Sequence, residues 1–312
     1  MKDNFTIPEE TTKKILQKYN LGRFSTLDEI KTGLINPVFV INNQFVLRIN
    51  TNKDSESKQK FEKEAYLYAL LSKSDIPTPK CIAHDSSGEI IKEEYLLISY
   101  IEGETLKESF QKANKEARYH LAYQLGEIAK KIHSVDIHEI SLRSDLFGSK
   151  EDYWNKKLEM EFAKYFDLVK DKRLLVDKII EDIEKVSKEF ASLGDLSRKA
   201  TFIHGDFYGN NFQVRNGEIV GIFDFEMTKL GDPYFDLQKL PINFQLGDGF
   251  DKGAFLDGYG QKVMSTEEKI RLKKYALFQG LWELWATETQ QFPFGEKEIE
   301  EGKDLIAKAL AY

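Results

Sequence analysis

Two short runs hold most of the residues able to do chemistry: His204-Gly205-Asp206-Phe207-Tyr208-Gly209-Asn210-Asn211 and Ile222-Phe223-Asp224-Phe225-Glu226. They place an acid, an amide and a second acid in a fixed order. The stretch between the last two contains Asn216-Gly217, a strong signal for a tight hairpin turn. Phosphoryl transfer from a magnesium nucleotide calls for such a set. One carboxylate must sit beside the acceptor hydroxyl, and an amide and another carboxylate must hold the metal on the phosphates. Thr201-Phe202-Ile203 precedes the first run, and Ile219-Val220-Gly221-Ile222-Phe223 leads into the second acid. Polar groups at the ends of apolar strands are costly to bury without a use.

On this chemistry Asp206 is the candidate catalytic base, able to orient the hydroxyl and take its proton late in the transfer. Asp224 and one of the amides Asn210 and Asn211 are the candidate metal ligands. Magnesium favours oxygen donors, and two protein oxygens leave room for phosphate and water. Pairing of the strands on either side of Asn216-Gly217 would bring Asn211 and Asp224 to one end of the hairpin.

These runs resemble the signature of the aminoglycoside phosphotransferase and choline kinase superfamily, which is similar to the protein kinases in fold. That signature is His-x-Asp, four or five residues, Asn, then a hairpin ending in Asp-x-Glu or Asp-x-Asp. Here it reads His204, Asp206, Asn211, Asp224 and Glu226, and Gly231-Asp232-Pro233-Tyr234-Phe235-Asp236-Leu237 looks like its continuation. The resemblance covers roughly residues 24 to 290. It implies an α+β, two-lobed kinase-like fold, ATP or GTP as co-substrate, Mg2+, and Asn211 rather than Asn210 as the metal amide. It implies structural roles for His204 and Asp236, and leaves Glu226 beside the metal rather than on it.

The same resemblance places Arg48 where most kinases carry a lysine on the nucleotide phosphates. Glu64, with Glu62 as rival, falls where the ion-pair glutamate of the next helix sits. Gly33-Leu34-Ile35-Asn36 occupies the position of the phosphate-covering loop, making Gly33 and Asn36 nucleotide-site candidates. Ser99-Tyr100-Ile101 looks like the hinge that meets the purine edge. Phe207–Asn211 and Val46–Asn50 look somewhat like the hygromycin phosphotransferases. The implied enzyme is thus a phosphotransferase with an alcohol acceptor. An aminoglycoside-type antibiotic is the leading acceptor, and choline, a sugar, homoserine or a macrolide are alternatives. A silent pseudokinase would have lost Asp206, Asn211 or Asp224, and all three are present. A metal hydrolase built on His204 and Asp206 lacks nearby nitrogen ligands.

The elements that must position these residues are also legible. Short alternating runs at Leu27–Ile30, Val38–Ile41 and Phe45–Ile49 read as strands, and further strands are expected near 80–83 and 95–100. Helical spacing marks 8–20, 55–72 and a long helix through Leu121, Leu125, Ile128 and Ile132. Residues 150–192 and 266–289 also read as helix. A β-rich nucleotide lobe over 1–100 and a helical lobe over 101–312, carrying the hairpin and the acceptor site, are therefore expected. Trp282 and Trp285, at helical spacing, suit a core better than a cation cage. Asp248, Asp251, Asp257, Glu283 and Glu288 could line an acidic acceptor pocket, though any one of them suits a solvated face.

With 312 residues, 41% hydrophobic and 31% charged, the chain has material for a sizeable core. A net charge of −7 argues against nucleic acid or an anionic membrane as the main partner and is compatible with a cationic small molecule. Cys81 is the single cysteine, which fits a reducing cytoplasm. Oligomeric state leaves no trace in the sequence.

Overall fold

The computed structural model describes residues 5–30, 36–51, 59–147, 157–194, 200–290 and 295–312. The chain divides into two compact units. The first is Met1–Glu104 with Phe212–Glu226, and the second is Thr105–Asn211 with Met227–Tyr312.

In chain order the first unit holds α1 (Glu9–Lys18), β1 (Leu27–Ile30), β2 (Val38–Ile41), β3 (Phe45–Ile49), α2 (Lys60–Leu71), β4 (Cys81–Asp85) and β5 (Tyr95–Ser99). Its strands form an antiparallel sheet in the order β1-β2-β3-β5-β4. Successive strand side chains face opposite sides. Leu47 and Ile49 therefore enter one core with Ile41, Tyr95, Leu97 and the α1 residues Ile15 and Leu16. Arg48 faces the other way, where it meets Phe61 and Glu64 of α2. Asp85 ties α1 to the sheet, accepting from Lys18 Nζ at 2.8 Å and from the hydroxyls of Tyr19 and Tyr95 at 2.9 Å each.

After β6 (Glu104–Thr105), the second unit continues as α3 (Leu106–Lys112), α4 (Lys115–His133), α5 (His138–Ser141), α6 (Ser144–Phe147), α7 (Leu158–Asp171), α8 (Asp177–Ala191) and β7 (Thr201–Ile203). The chain then enters the first unit as β8 (Phe212–Arg215) and β9 (Glu218–Ile222), and returns as β10 (Lys229–Gly231), α9 (Lys252–Tyr259), α10 (Thr266–Glu288) and α11 (Glu296–Ala311).

The hairpin of β8 and β9 was expected with the helical lobe, yet it groups with the first unit. The reason is local bonding. Ile222 N–H donates to the Pro77 carbonyl at 2.7 Å. Gly103 also lies so close to the hairpin that a β-carbon there would stand 2.4 Å from the Val214 carbonyl. The turn itself is as expected: Asn216 and Gly217 have φ of +55° and +82°, the twist that suits a two-residue hairpin.

The helical unit is built on α10, which is buried on most of its faces through Leu272, Tyr275, Ala276, Leu277, Leu281 and Leu284. A helix buried on most of its faces belongs in a core, and here Arg271, Lys274 and Glu283 are buried with the apolar residues. Helices α7 and α8 pack against it, and between them Lys274 is buried with its ammonium 3.4 Å from the centroid of Phe162. Burial lowers the pKa of that ammonium, while Glu159 at 3.3 Å opposes the shift. Trp285 packs on Tyr165 with centroids 4.9 Å apart and rings tilted by 39°, and Lys164 Nζ lies 4.1 Å from the Trp285 centroid. Among the described residues no helix is long and apolar enough to cross a membrane.

Candidate active site

In the second unit, β7 delivers the chain into the loop of Asp206. Strand β10 pairs with β7 antiparallel, Lys229 opposite Ile203. Gly205 has φ of +84°, and a β-carbon would lie 2.2 Å from the Met227 carbonyl, so only glycine fits this entry turn. Asp236 holds the loop from beneath. It accepts from the backbone N–H groups of His204 at 2.8 Å and Gly205 at 2.7 Å, and its Oδ2 lies 3.1 Å from His133 Nε2. Burial alone would raise the Asp236 carboxyl, but His133 and the backbone donors outweigh it and hold the group below its usual range.

A carboxylate depressed in the folded state contributes stability above the unfolded carboxyl pKa and loses it as pH falls through the folded value. Asp236→Asn is therefore expected to cost roughly 1–3 kcal/mol near neutrality, the scale of leaving buried hydrogen-bond donors without a charged acceptor. Its penalty should shrink in acid. Denaturant titrations of both proteins across pH measure this, and equal stability at pH 7 would count against the anchor.

His204 is fully buried, and its carbonyl accepts from Thr228 Oγ1 at 3.2 Å. Its ring accepts the Asp206 N–H at 3.2 Å. The imidazole thus bonds to the backbone of the loop. Asp206 is half-buried. Asn211 is buried and donates its Nδ2 both to the Asp206 carbonyl at 2.8 Å and to Asp206 Oδ2 at 2.9 Å. With the amide nitrogen engaged, Oδ1 is the atom of Asn211 left to meet a cation. Asn210, the rival amide, is exposed.

A support that the sequence did not reveal lies under this loop. Asn243, Phe244 and Gln245 have φ of +57°, +50° and +60°, three consecutive non-glycine residues in the left-handed region. Such a turn is strained and persists only where its surroundings enforce it. Phe244 is fully buried and meets Phe207 with centroids 5.8 Å apart, alongside Phe250 and Phe255. Leu246 fills the space beside Gly209.

The first unit carries the other candidates. Arg48 and Glu64 form a direct buried pair, and Glu64 Oε1 also accepts from Tyr68 OH at 3.1 Å and from Phe225 N–H at 3.2 Å. Burial raises the Glu64 carboxyl, with Arg48 opposing the shift. Arg48 is held above its ordinary value, burial being outweighed by Glu64 and Asp224. Between the rivals on α2, Glu64 is the one that meets Arg48. Asp224 lies 3.9 Å from Arg48, sits at φ of +64°, and has a buried Oδ1 with no hydrogen-bond partner. An orphaned carboxylate oxygen suits a hard, oxygen-seeking cation such as Mg2+. Among the described residues no three His, Cys, Asp or Glu side chains converge on a metal position, so phosphate oxygens and water would have to complete any coordination shell.

Asn36 likewise has a buried Oδ1 without a partner, whereas Gly33 lies outside the described residues. Ser99 bonds to Lys80 through both its N–H and its hydroxyl. Tyr100 N–H donates to the Gln44 carbonyl at 2.7 Å, so that amide is already engaged within the sheet. Ile101 follows, half-buried.

Of the five acids considered for an acceptor pocket, Asp248, Asp251, Asp257 and Glu288 are exposed, and Asp251 caps α9. Glu283 differs. It is 6% exposed, its Oε1 accepts from Gln279 Nε2 at 2.9 Å, and its buried Oε2 has no partner. Burial raises its carboxyl, with Lys239 opposing the shift. Lys239 Nζ stands 4.5 Å from the centroid of the Tyr208 ring, two residues after Asp206.

A β-rich unit whose α2 glutamate pairs with a strand arginine, and a helical unit with a loop anchored by Asp236, are features of a kinase-like fold. The chain belongs to the phosphotransferase enzyme family, whose model matches residues 26–272. Among solved structures it is similar to the ADP-bound aminoglycoside phosphotransferase APH(2'')-Ib, at 20% identity and a TM-score of 0.66, covering 97% of this chain and 98% of the other. It is also similar to the GDP and kanamycin complex of APH(2'')-IIIa, at 16% identity and a TM-score of 0.71, covering 97% and 99%. The acyl-CoA dehydrogenase family member 10 of Mus musculus is 26% identical over 299 residues, 90% of this chain. The chain spans about a quarter of that relative's length, 26%.

Proposed function

We propose that this chain transfers the γ-phosphoryl group of a magnesium nucleotide to a hydroxyl of a small, cationic, aminoglycoside-type molecule. The observation that carries the reading is the Asp206 loop. A half-buried carboxylate is held by an anchored backbone, and its neighbouring amide is turned so that only its oxygen remains free. Asp206 orients the acceptor hydroxyl and receives its proton. Arg48, fixed by Glu64, holds nucleotide phosphates, Asn36 lies beside them, and the hinge segment Ser99-Tyr100-Ile101 meets the base, with Ile101 N–H as its donor. Asn211 Oδ1 and the Asp224 carboxylate would hold Mg2+, which when bound neutralises charge on the phosphates. The nucleotide role thus falls to residues 1–100 with the hairpin, and the acceptor role to the remainder of 101–312.

Glu283 supports a cationic acceptor: a buried carboxylate oxygen without a partner calls for a donor. The test is a nucleotide-consumption screen with ATP and GTP against aminoglycosides, macrolides, choline, homoserine and sugars. Turnover with an aminoglycoside alone is the expected result, and turnover confined to another class would reassign the acceptor. Exposed charge pairs contribute only ~0.2–1 kcal/mol each, so a polycation needs several at once. The Debye length falls from ~10 Å at 0.1 M to ~3 Å at 1 M salt. The acceptor KM should therefore climb strongly with salt while nucleotide KM moves little, and a flat acceptor response would point to choline or a neutral acceptor.

A second reading has an acyl thioester bearing a hydroxyl as the acceptor. The resemblance to an acyl-CoA dehydrogenase family member motivates it, and Lys239 beside Tyr208 offers a cation suited to an anionic acceptor. Hydroxyacyl-CoA thioesters therefore belong in the same screen.

A further inference from the structure

We propose that Lys60 and Lys63 of α2 are positioning residues that clamp Glu226 and thereby set the conformation of Asp224. This rests on the reading of Asp224 as a metal ligand. Three consecutive residues of one face of α2 reach the turn that follows that acid. Lys60 Nζ donates to Glu226 Oε1 at 3.3 Å, Lys63 Nζ donates to the Glu226 carbonyl at 3.1 Å, and Glu64 Oε1 accepts from Phe225 N–H at 3.2 Å. The i, i+3 and i+4 spacing is what puts these side chains on one side of the helix. Lys60 and Glu226 are 32% and 16% exposed as side chains, so water screens their attraction only in part.

The turn needs such a clamp. Asp224 occupies the left-handed region at φ of +64°, which aspartate tolerates as a single residue but at a conformational cost that bonds on either side help to offset. Its buried Oδ1 makes no hydrogen bond that could offset that cost, and the cation it faces, Arg48 at 3.9 Å, is committed to Glu64. The β9 ladder and the three bonds from α2 are fixed points on either side of this residue. The same geometry assigns Glu226. Its carboxylate already has an ammonium partner and its carbonyl a second, so it acts as the anchor of the turn and Asp224 as the ligand. The sequence alone left Glu226 as a metal-adjacent acid, because Lys60 is 166 positions away.

The test uses the full chain and calorimetric titration with Mg–ATP and Mg–GTP, each repeated with the metal-free nucleotide in chelator. Lys60→Met and Glu226→Gln are each expected to weaken Mg–nucleotide binding roughly 5- to 10-fold, the lower range of coupling between sites. Metal-free nucleotide affinity should stay unchanged. The double variant should be no weaker than either single variant, because the two residues form one interaction. The exchanged pair Lys60→Glu with Glu226→Lys should recover most of the loss. Lys63→Met, which removes a bond to a carbonyl, should show a smaller effect of the same kind. Glu226→Gln costing ~10²-fold while Lys60→Met is silent would make Glu226 a metal ligand and overturn the clamp. Silence of both variants would overturn it too. Asp224→Ala is titrated alongside: if it weakens Mg–nucleotide binding while Lys60→Met does not, only the clamp fails. If it also has no effect, or if the parent protein binds neither nucleotide, the metal reading fails with it.

Discussion

Asp206→Asn is expected to lower turnover by ~10²-fold or more while leaving nucleotide affinity unchanged, the scale of a lost general base. The substitution keeps the shape of the side chain. The backbone of the loop is held by Asp236 through the His204 and Gly205 amides, not by the Asp206 side chain, so the fold should survive. What disappears is the proton acceptor, and with it the carboxylate that receives the Asn211 Nδ2 bond at 2.9 Å. Unchanged thermal unfolding together with unchanged nucleotide titration would confine the loss to the chemical step. Near-normal turnover in a folded Asp206→Asn protein would remove Asp206 from the mechanism.

The parts of this site visible in the sequence share one property, which is that their signals are local. Strand β3 could be read because Leu47 and Ile49 alternate with Arg48. The tight turn at Asn216-Gly217 could be read because only certain residues accept positive φ. Helix α4 could be read from its apolar stripe. The choice of Glu64 over Glu62 came from resemblance, and the geometry gives its reason: Glu64 is buried against Arg48, while Glu62 is only half-buried.

What stayed hidden depends on residues far apart in the chain. Asp236 meets His133 across 103 positions, and nothing in either segment announces the other. The left-handed turn at Asn243–Gln245 carries no glycine to mark it, because its strain is offset by burying Phe244 under the catalytic loop. Lys274 lies between the charged positions Lys273 and Glu283 of its helix, yet the rings of Phe162 and Phe190 flank it. The grouping of the hairpin with the first unit is of the same kind, since the bond from Ile222 to Pro77 is not encoded in either strand. Local pattern thus identified the elements, and long-range bonding decided which of them work together.

Asp224→Ala is expected to weaken Mg–nucleotide binding at least ~10-fold, about 1.4 kcal/mol, and to lower turnover with it. A carboxylate is the principal protein charge proposed for this metal, and Asn211 can offer only a neutral oxygen in its place. The loss should be specific to the metal complex. Arg48 keeps its buried pairing with Glu64 after the substitution, so contacts to the phosphates themselves should persist and metal-free nucleotide should bind as before. An alanine at this position still has to adopt φ of +64°, but it no longer buries an oxygen without a partner, so stability should change little. This separates Asp224 from Asp236, whose replacement should act on stability first and on turnover through the loop. Calorimetry with and without magnesium, set beside a denaturant titration of the same protein, reads the two effects independently. If Asp224→Ala bound Mg–nucleotide as tightly as the parent, the orphaned Oδ1 would have to be explained by Arg48 alone, and the metal would have to be held elsewhere.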